Sequence, residues 1–117
     1  MTLAIIGSRG VSEDYYDKFA ELVPVNCTSI VSGGATGIDA LARRYAAEQG
    51  LECTEILPDY AAHGRRAPLV RNDEIIARAD FVVAFWDGES HGTAYTIARC
   101  VEKGIAVKVV MTISNEQ

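Results

Sequence analysis

Short apolar runs alternate along this chain with stretches whose apolar residues recur at helical spacing. Leu3–Ile6 is a compact apolar run closed by Gly7, and Thr28–Val31 is a second, closed by Ser32-Gly33-Gly34. Between them Ser12 is placed to cap a helix that runs to about Leu22 and stops at Pro24. From Ile38, apolar residues at Leu41, Ala42, Tyr45 and Ala46 make one face of a helix that Gly50 ends. Cys53–Leu57 reads as a third strand halted by Pro58. The polar stretch Asp59–Arg66 is long enough for a functional loop, and Pro68 suits the first turn of a helix ending near Ala79. Phe81–Trp86 is apolar throughout, as a strand buried on both faces should be. Ala94, Ile97, Ala98 and Val101 mark another helix, stopped by Gly104, and Ile105–Met111 gives the last strand.

The order is therefore β-α-β-α-β-α-β-α-β. Right-handed crossovers turn it into an α/β, Rossmann-like three-layer sandwich with a five-stranded parallel sheet of order 3-2-1-4-5. Residues 1–113 make a single domain, and 114–117 are expected to be a frayed tail. In such sheets ligands bind at the carboxyl ends of the strands, beside the switch point between the first and fourth strands.

Composition narrows the partners. With 117 residues, 49% hydrophobic and 23% charged, the chain can build one packed core. Its net charge of −5 makes nucleic acid the weaker partner, because non-specific affinity there comes mostly from Lys and Arg neutralising phosphates. No apolar run is long enough to span a bilayer, and Met1–Ile6 lacks the basic start of a signal peptide, so no membrane role and a cytoplasmic location are expected. Cys27, Cys53 and Cys100 are odd in number and lack Cys-x-x-Cys spacing, which disfavours disulfides and zinc. They read as small core hydrophobes.

Three glycine-bearing loops fall on one sheet edge. They are Gly7-Ser8-Arg9-Gly10, then Ser32-Gly33-Gly34-Ala35-Thr36-Gly37, then Asp87-Gly88-Glu89-Ser90-His91-Gly92-Thr93. Each leads into a helix, whose unpaired N–H groups and partial positive charge attract anions, and glycine lets a phosphate approach the backbone. One such loop is explained equally well as a tight turn. Three on one edge, two of them carrying hydroxyls, point to an anion-binding cleft. Asp39 stands three residues after Thr36, where it can either complete a capping box or accept from ribose or base donors. Arg9 follows a strand end and Arg71 opens a helix at the cleft, so both are phosphate candidates. Arg65 and Arg66 serve equally well as surface charge. Trp86 fits either a base-stacking rim or the core, and His63 reads as surface. Asp87, Glu89 and His91 alternate in one loop, a spacing that does not converge three ligands, so no metal and no cofactor is expected.

The run Ser32-Gly33-Gly34-Ala35-Thr36-Gly37-Ile38-Asp39-Ala40-Leu41-Ala42, with Gly7-Ser8-Arg9 before it, resembles the SLOG superfamily. That group joins DNA-processing protein A, the Lonely Guy phosphoribohydrolases and many small nucleotide-ligand domains. The likeness is strongest to small stand-alone members related to YspA, and it covers nearly the whole chain. It implies a Rossmann-like domain binding nucleotides or NAD-derived signals at the same edge, through Gly7, Ser8, Arg9, Gly33, Gly34, Ala35, Thr36, Gly37, Asp39, Arg71, Asn72, Asp87, Gly88, Ser90, Gly92 and Thr93. Arg71 matches an arginine of the Lonely Guy enzymes, and Arg71-Asn72 is shared with DNA-processing protein A. The Lonely Guy motif Pro-Gly-Gly-x-Gly-Thr-x-x-Glu is kept at Gly92-Thr93, but Thr96 stands at the catalytic glutamate.

The resemblance therefore implies a binding module for a nucleotide-like small molecule, acting as sensor, carrier or sequestering protein, and leaning away from catalysis. A nucleoside-monophosphate phosphoribohydrolase, with Asp39 as substitute carboxylate, is the first alternative. A single-stranded nucleic-acid binder is the second. A homo-oligomer is expected, since Lonely Guy proteins are dimers and a small open sheet has surface to cover.

Overall fold

Leu3–Ile6 and Val82–Phe85 are apolar at every position because both strands lie between two helical layers. The computed structural model describes residues 1–33 and 37–112 and the backbone of Thr36. Its strands are β1 (Thr2–Gly7), β2 (Ser29–Ser32), β3 (Glu52–Glu55), β4 (Phe81–Trp86) and β5 (Ala106–Met111). All neighbours pair in parallel, in the expected order β3-β2-β1-β4-β5. The helices are α1 (Tyr16–Leu22), α2 (Thr36–Gln49), α3 (Tyr60–His63), α4 (Ala67–Ala77) and α5 (His91–Lys103).

Alternate residues of each central strand sort into the two layers, as a period of two requires. Leu3, Ile5, Val83 and Phe85 pack with Phe19 of α1 and with Ile38 and Leu41 of α2. Ala4, Ile6, Val82 and Ala84 pack with Ile75 and Ile76 of α4 and Cys100 of α5. After β3 the chain returns across the sheet to β4, and a right-handed crossover then puts α4 on the opposite face from α2. Ile5 aligns with Ser32, and Gly7 with Phe85, so β1, β2 and β4 end close to level and their following loops share one edge.

Local signals act where the pattern placed them. Pro68 lies in the first turn of α4. Gly104 takes φ of +72°, and its N–H caps α5 on the carbonyls of Cys100 and Val101. Ser12 caps a 3₁₀ turn at Glu13–Tyr15, accepting from the Asp14 N–H at 3.2 Å, and that turn feeds α1. The polar stretch Asp59–Arg66 is not an open loop. The Asp59 carboxylate accepts from the Ala62 N–H at 3.0 Å and starts α3, and a 3₁₀ turn at Gly64–Arg66 follows. Residues 114–117 lie outside the described residues. Among the described residues no helix is long and apolar enough to cross a membrane.

The cysteines do not form one class. Cys27 and Cys100 are buried as expected, but Cys53 is exposed. Its strand lies at the edge of the sheet, and all four residues of β3 are exposed. Partial cover of the sulfur, then the Glu55 and Asp39 carboxylates, push its thiol above the ordinary value. A bulky thiol reagent at mildly alkaline pH is therefore expected to modify Cys53 alone in the native protein, and all three cysteines in denaturant. Rapid native modification of Cys27 or Cys100, read by mass spectrometry, would contradict this packing.

Candidate functional site

β1 ends in Gly7 and β2 is followed directly by Gly33, and both glycines sit in close quarters. A methyl on Gly7 would lie 2.7 Å from Ile38 Cδ1 and 3.0 Å from the Phe85 carbonyl oxygen. One on Gly33 would lie 2.9 Å from Ile75 Cδ1 and 3.1 Å from Arg71 Cδ. Between these strand ends lies a small cleft lined by Ile5, Ile6, Gly7, Gly33, Ile38, Arg71 and Asn72. Its isoleucines are buried, and its polar side chains, Arg71 and Asn72, come from the middle of α4.

Arg71 dominates the cleft electrically. It is half-buried, its Nε donates to Asn72 Oδ1 at 2.7 Å, and its Nη1 donates to the Gly33 carbonyl. Burial pulls its guanidinium below the ordinary arginine value, while the Tyr60 phenol and the Asp39 carboxylate pull the other way. Among the described residues no carboxylate lies within ion-pair distance of it. The arginine thus brings a partly desolvated positive charge to the cleft, still available to an anion.

Asp39 is buried, accepting from the Ser32 hydroxyl at 2.9 Å, and lies 3.8 Å from Arg43 Nη1. Arg43 also pairs with Glu55. Ser32, itself fully buried, was not among the expected site residues. Its place at the carboxyl end of β2, directly before Gly33, is the signal that marks it.

The loop after β4 is organised around its own polar groups. The Asp87 carboxylate accepts from the N–H groups of Glu89 and Ser90, both at 2.8 Å, and these bonds hold it below the usual carboxylate range. Gly88 takes φ of +84° at the turn. Ser90 caps α5 by accepting from the Thr93 N–H at 3.4 Å, and the Trp86 indole donates to the Ser90 carbonyl at 3.0 Å. Ser8, also buried, ties this loop to β1: its N–H donates to the Phe85 carbonyl at 3.0 Å and its Oγ accepts from the Asp87 N–H at 3.2 Å.

Of the expected site residues, Gly7, Gly33, Arg71 and Asn72 meet in the cleft. Asp87, Gly88, Ser90, Gly92 and Thr93 form the neighbouring loop and helix start, with Ser8 between the two groups. Arg9, Arg65 and Arg66 are exposed. Gly37 packs against the Val11 backbone. Gly34, Ala35 and the Thr36 side chain lie outside the described residues. Thr96 is fully buried beneath the site, accepting from Asn72 Nδ2 at 2.8 Å. Among the described residues no three His, Cys, Asp or Glu side chains group as a metal ion would require.

A family model for DNA recombination-mediator protein A matches residues 1–64, just over half of the chain. The chain belongs to this family. The match runs from β1 through α3 and takes in both Gly7-Ser8-Arg9 and the Ser32–Asp39 run, so the family is carried by the strand ends that build one wall of the cleft. It ends before Arg71, so the other wall, from α4, lies beyond the matched segment. The family is a branch of the SLOG superfamily, whose parallel 3-2-1-4-5 sheet this chain has. No curated protein and no solved structure matches the chain.

Proposed function

We propose that the cleft binds the phosphate group of a nucleotide or nucleotide-derived small molecule, and that the protein acts as a binding module of the small stand-alone SLOG type. The observation that carries this reading is Arg71, a half-buried guanidinium without a carboxylate partner among the described residues, set between two glycine strand ends. Keeping such a charge partly out of water costs stability that its bonds to Gly33 and Asn72 return only in part, and an anion would complete it.

Catalysis is the weaker reading. A glycosidic hydrolase needs a carboxylate beside the ribose to stabilise developing positive charge. The position matching that glutamate holds Thr96, whose hydroxyl is buried and already bonded to Asn72 and the Gly92 carbonyl. Single-stranded DNA is a second reading, favoured by the family match.

A thermal-shift series separates these readings. Adenosine, guanosine and cytidine monophosphates at a hundredfold their dissociation constants stabilise a binding protein by about 2.7 kcal/mol. At this size that raises the melting temperature by roughly 10 °C. At least one mononucleotide is expected to give such a shift. A flat response to all of them, with a salt-dependent shift on oligonucleotides, would overturn the small-ligand reading in favour of DNA.

A further inference from the structure

Arg71 sits at one end of a chain of hydrogen bonds whose other end is the backbone of α5. Its Nε–H donates to Asn72 Oδ1 at 2.7 Å. Asn72 Nδ2 donates to Thr96 Oγ1 at 2.8 Å, and Thr96 Oγ1 donates to the Gly92 carbonyl at 2.9 Å. A hydroxyl has a single proton to give. Thr96 spends it on Gly92, so toward Asn72 it can only accept. The amide NH₂ of Asn72 must then face Thr96, and its carbonyl oxygen is left to face Arg71. The α5 backbone therefore sets the polarity of the whole chain, and with it the acceptor that Arg71 finds.

We propose that Asn72 and Thr96 are positioning residues that lock the Arg71 guanidinium in one orientation, with its terminal Nη edge offered to a phosphate group. The inference rests on the reading of the cleft given above. Arginine carries five N–H donors in a planar fork. The Nε proton is spent on Asn72 and one Nη1 proton on the Gly33 carbonyl. One proton on Nη1 and both on Nη2 remain, a pair of neighbouring donors that fits two oxygens of one phosphate. Both anchors are needed to fix the plane. With the Gly33 carbonyl alone, the guanidinium turns about that single contact, and the cost of ordering it falls on the ligand. The anchors also come from different elements, the end of β2 on one side and α4 backed by α5 on the other. Two of the glycine loops are thus coupled through one arginine.

A purely structural role for Thr96, satisfying a buried amide, predicts lost stability without a change at Arg71. Thr96→Val keeps the shape and removes the acceptor, whereas Thr96→Ser keeps the hydroxyl. Two measurements distinguish the roles: calorimetric affinity for adenosine, guanosine and cytidine monophosphates and inorganic phosphate, and NMR exchange of the Arg71 Nε–H in the ligand-free protein. Wild type and Thr96→Ser are expected to show slow Nε–H exchange and affinities within about threefold of each other. Thr96→Val is expected to show fast exchange and roughly tenfold weaker binding, the size of one lost hydrogen bond. Asn72→Leu, read in the same two ways, serves if Thr96→Val does not fold. Unchanged Nε–H exchange in Thr96→Val, or equal losses in the Val and Ser variants, would overturn the positioning role alone. A wild-type protein that binds none of the four probes would instead overturn the cleft reading, and with it the phosphate role of the chain.

Discussion

Gly37→Ala is expected to lower the melting temperature by about 10 °C or more, a loss of roughly 3 kcal/mol. A methyl carried by residue 37 would lie 1.6 Å from the Val11 carbonyl oxygen and 2.8 Å from its carbonyl carbon, where real contacts essentially never fall below 3.0 Å. The obstacle is backbone, so no rotamer change relieves it. Either the first turn of α2 or the segment after β1 must move. Val11 is buried against the core beside α2, so moving that segment disturbs packing as well. Gly92→Ala is the matched control. Nothing lies within 4 Å of a methyl there, and in a helix alanine is favoured over glycine by up to about 1 kcal/mol. Chemical or thermal denaturation of the two variants should therefore show a large loss in one and little or none in the other. A Gly37→Ala protein as stable as wild type would refute the close approach of α2 to Val11.

That contrast explains how far the sequence could be read. Glycine marks every loop on the ligand edge, but its reason differs from place to place. Gly37 and Gly7 are glycines because backbone and side chains of other elements crowd them. Gly88 is one because its turn takes a positive φ. The sequence shows the residue and hides the reason, since crowding at Gly37 comes from Val11, on a different element. The sheet was far more legible. The runs Leu3–Ile6 and Phe81–Trp86 at its centre are short and apolar at every position, and right-handed crossovers leave few ways to order the strands. β4 begins and ends where its apolar run does, at Phe81 and Trp86. Asp59–Arg66 misled because its polar residues hide a capped helical turn, set by Asp59 accepting from Ala62.

The site was legible as a location and not as a network. Strand order places the glycine loops on one edge, and a helix opening there puts Arg71 within reach. The contacts that give Arg71 its orientation join residues far apart in the chain: Gly33 to Arg71, and Asn72 to Thr96. No periodicity encodes them. Thr96 stood out only as a missing glutamate, and its structural role, holding Asn72, is visible once α4 and α5 are packed together.

Arg71→Met is expected to weaken mononucleotide binding by about a hundredfold while leaving the melting temperature unchanged or slightly raised. The binding loss follows from removing the charge: hydrogen bonds between charged groups are each worth about 1.5–3 kcal/mol, and two of them to one phosphate exceed the roughly 2.7 kcal/mol that a hundredfold requires. Stability responds in the opposite sense. Burial already pulls the Arg71 guanidinium below its ordinary value, which means that the folded protein disfavours its charge. Its Nη1–Gly33 and Nε–Asn72 bonds return part of that cost, and no ion pair among the described residues returns the rest. Methionine keeps the length of the stem beside Ile75 without the charge, and water entering the open cleft can satisfy the Gly33 carbonyl and the Asn72 amide oxygen. Calorimetry and a melting curve on the same preparation decide it. Full affinity in Arg71→Met would remove Arg71 from the ligand site. A drop of about 10 °C with binding lost would make the arginine a structural clamp. A residue that the fold would be no worse without, and that the ligand cannot do without, is the mark of a group retained for binding.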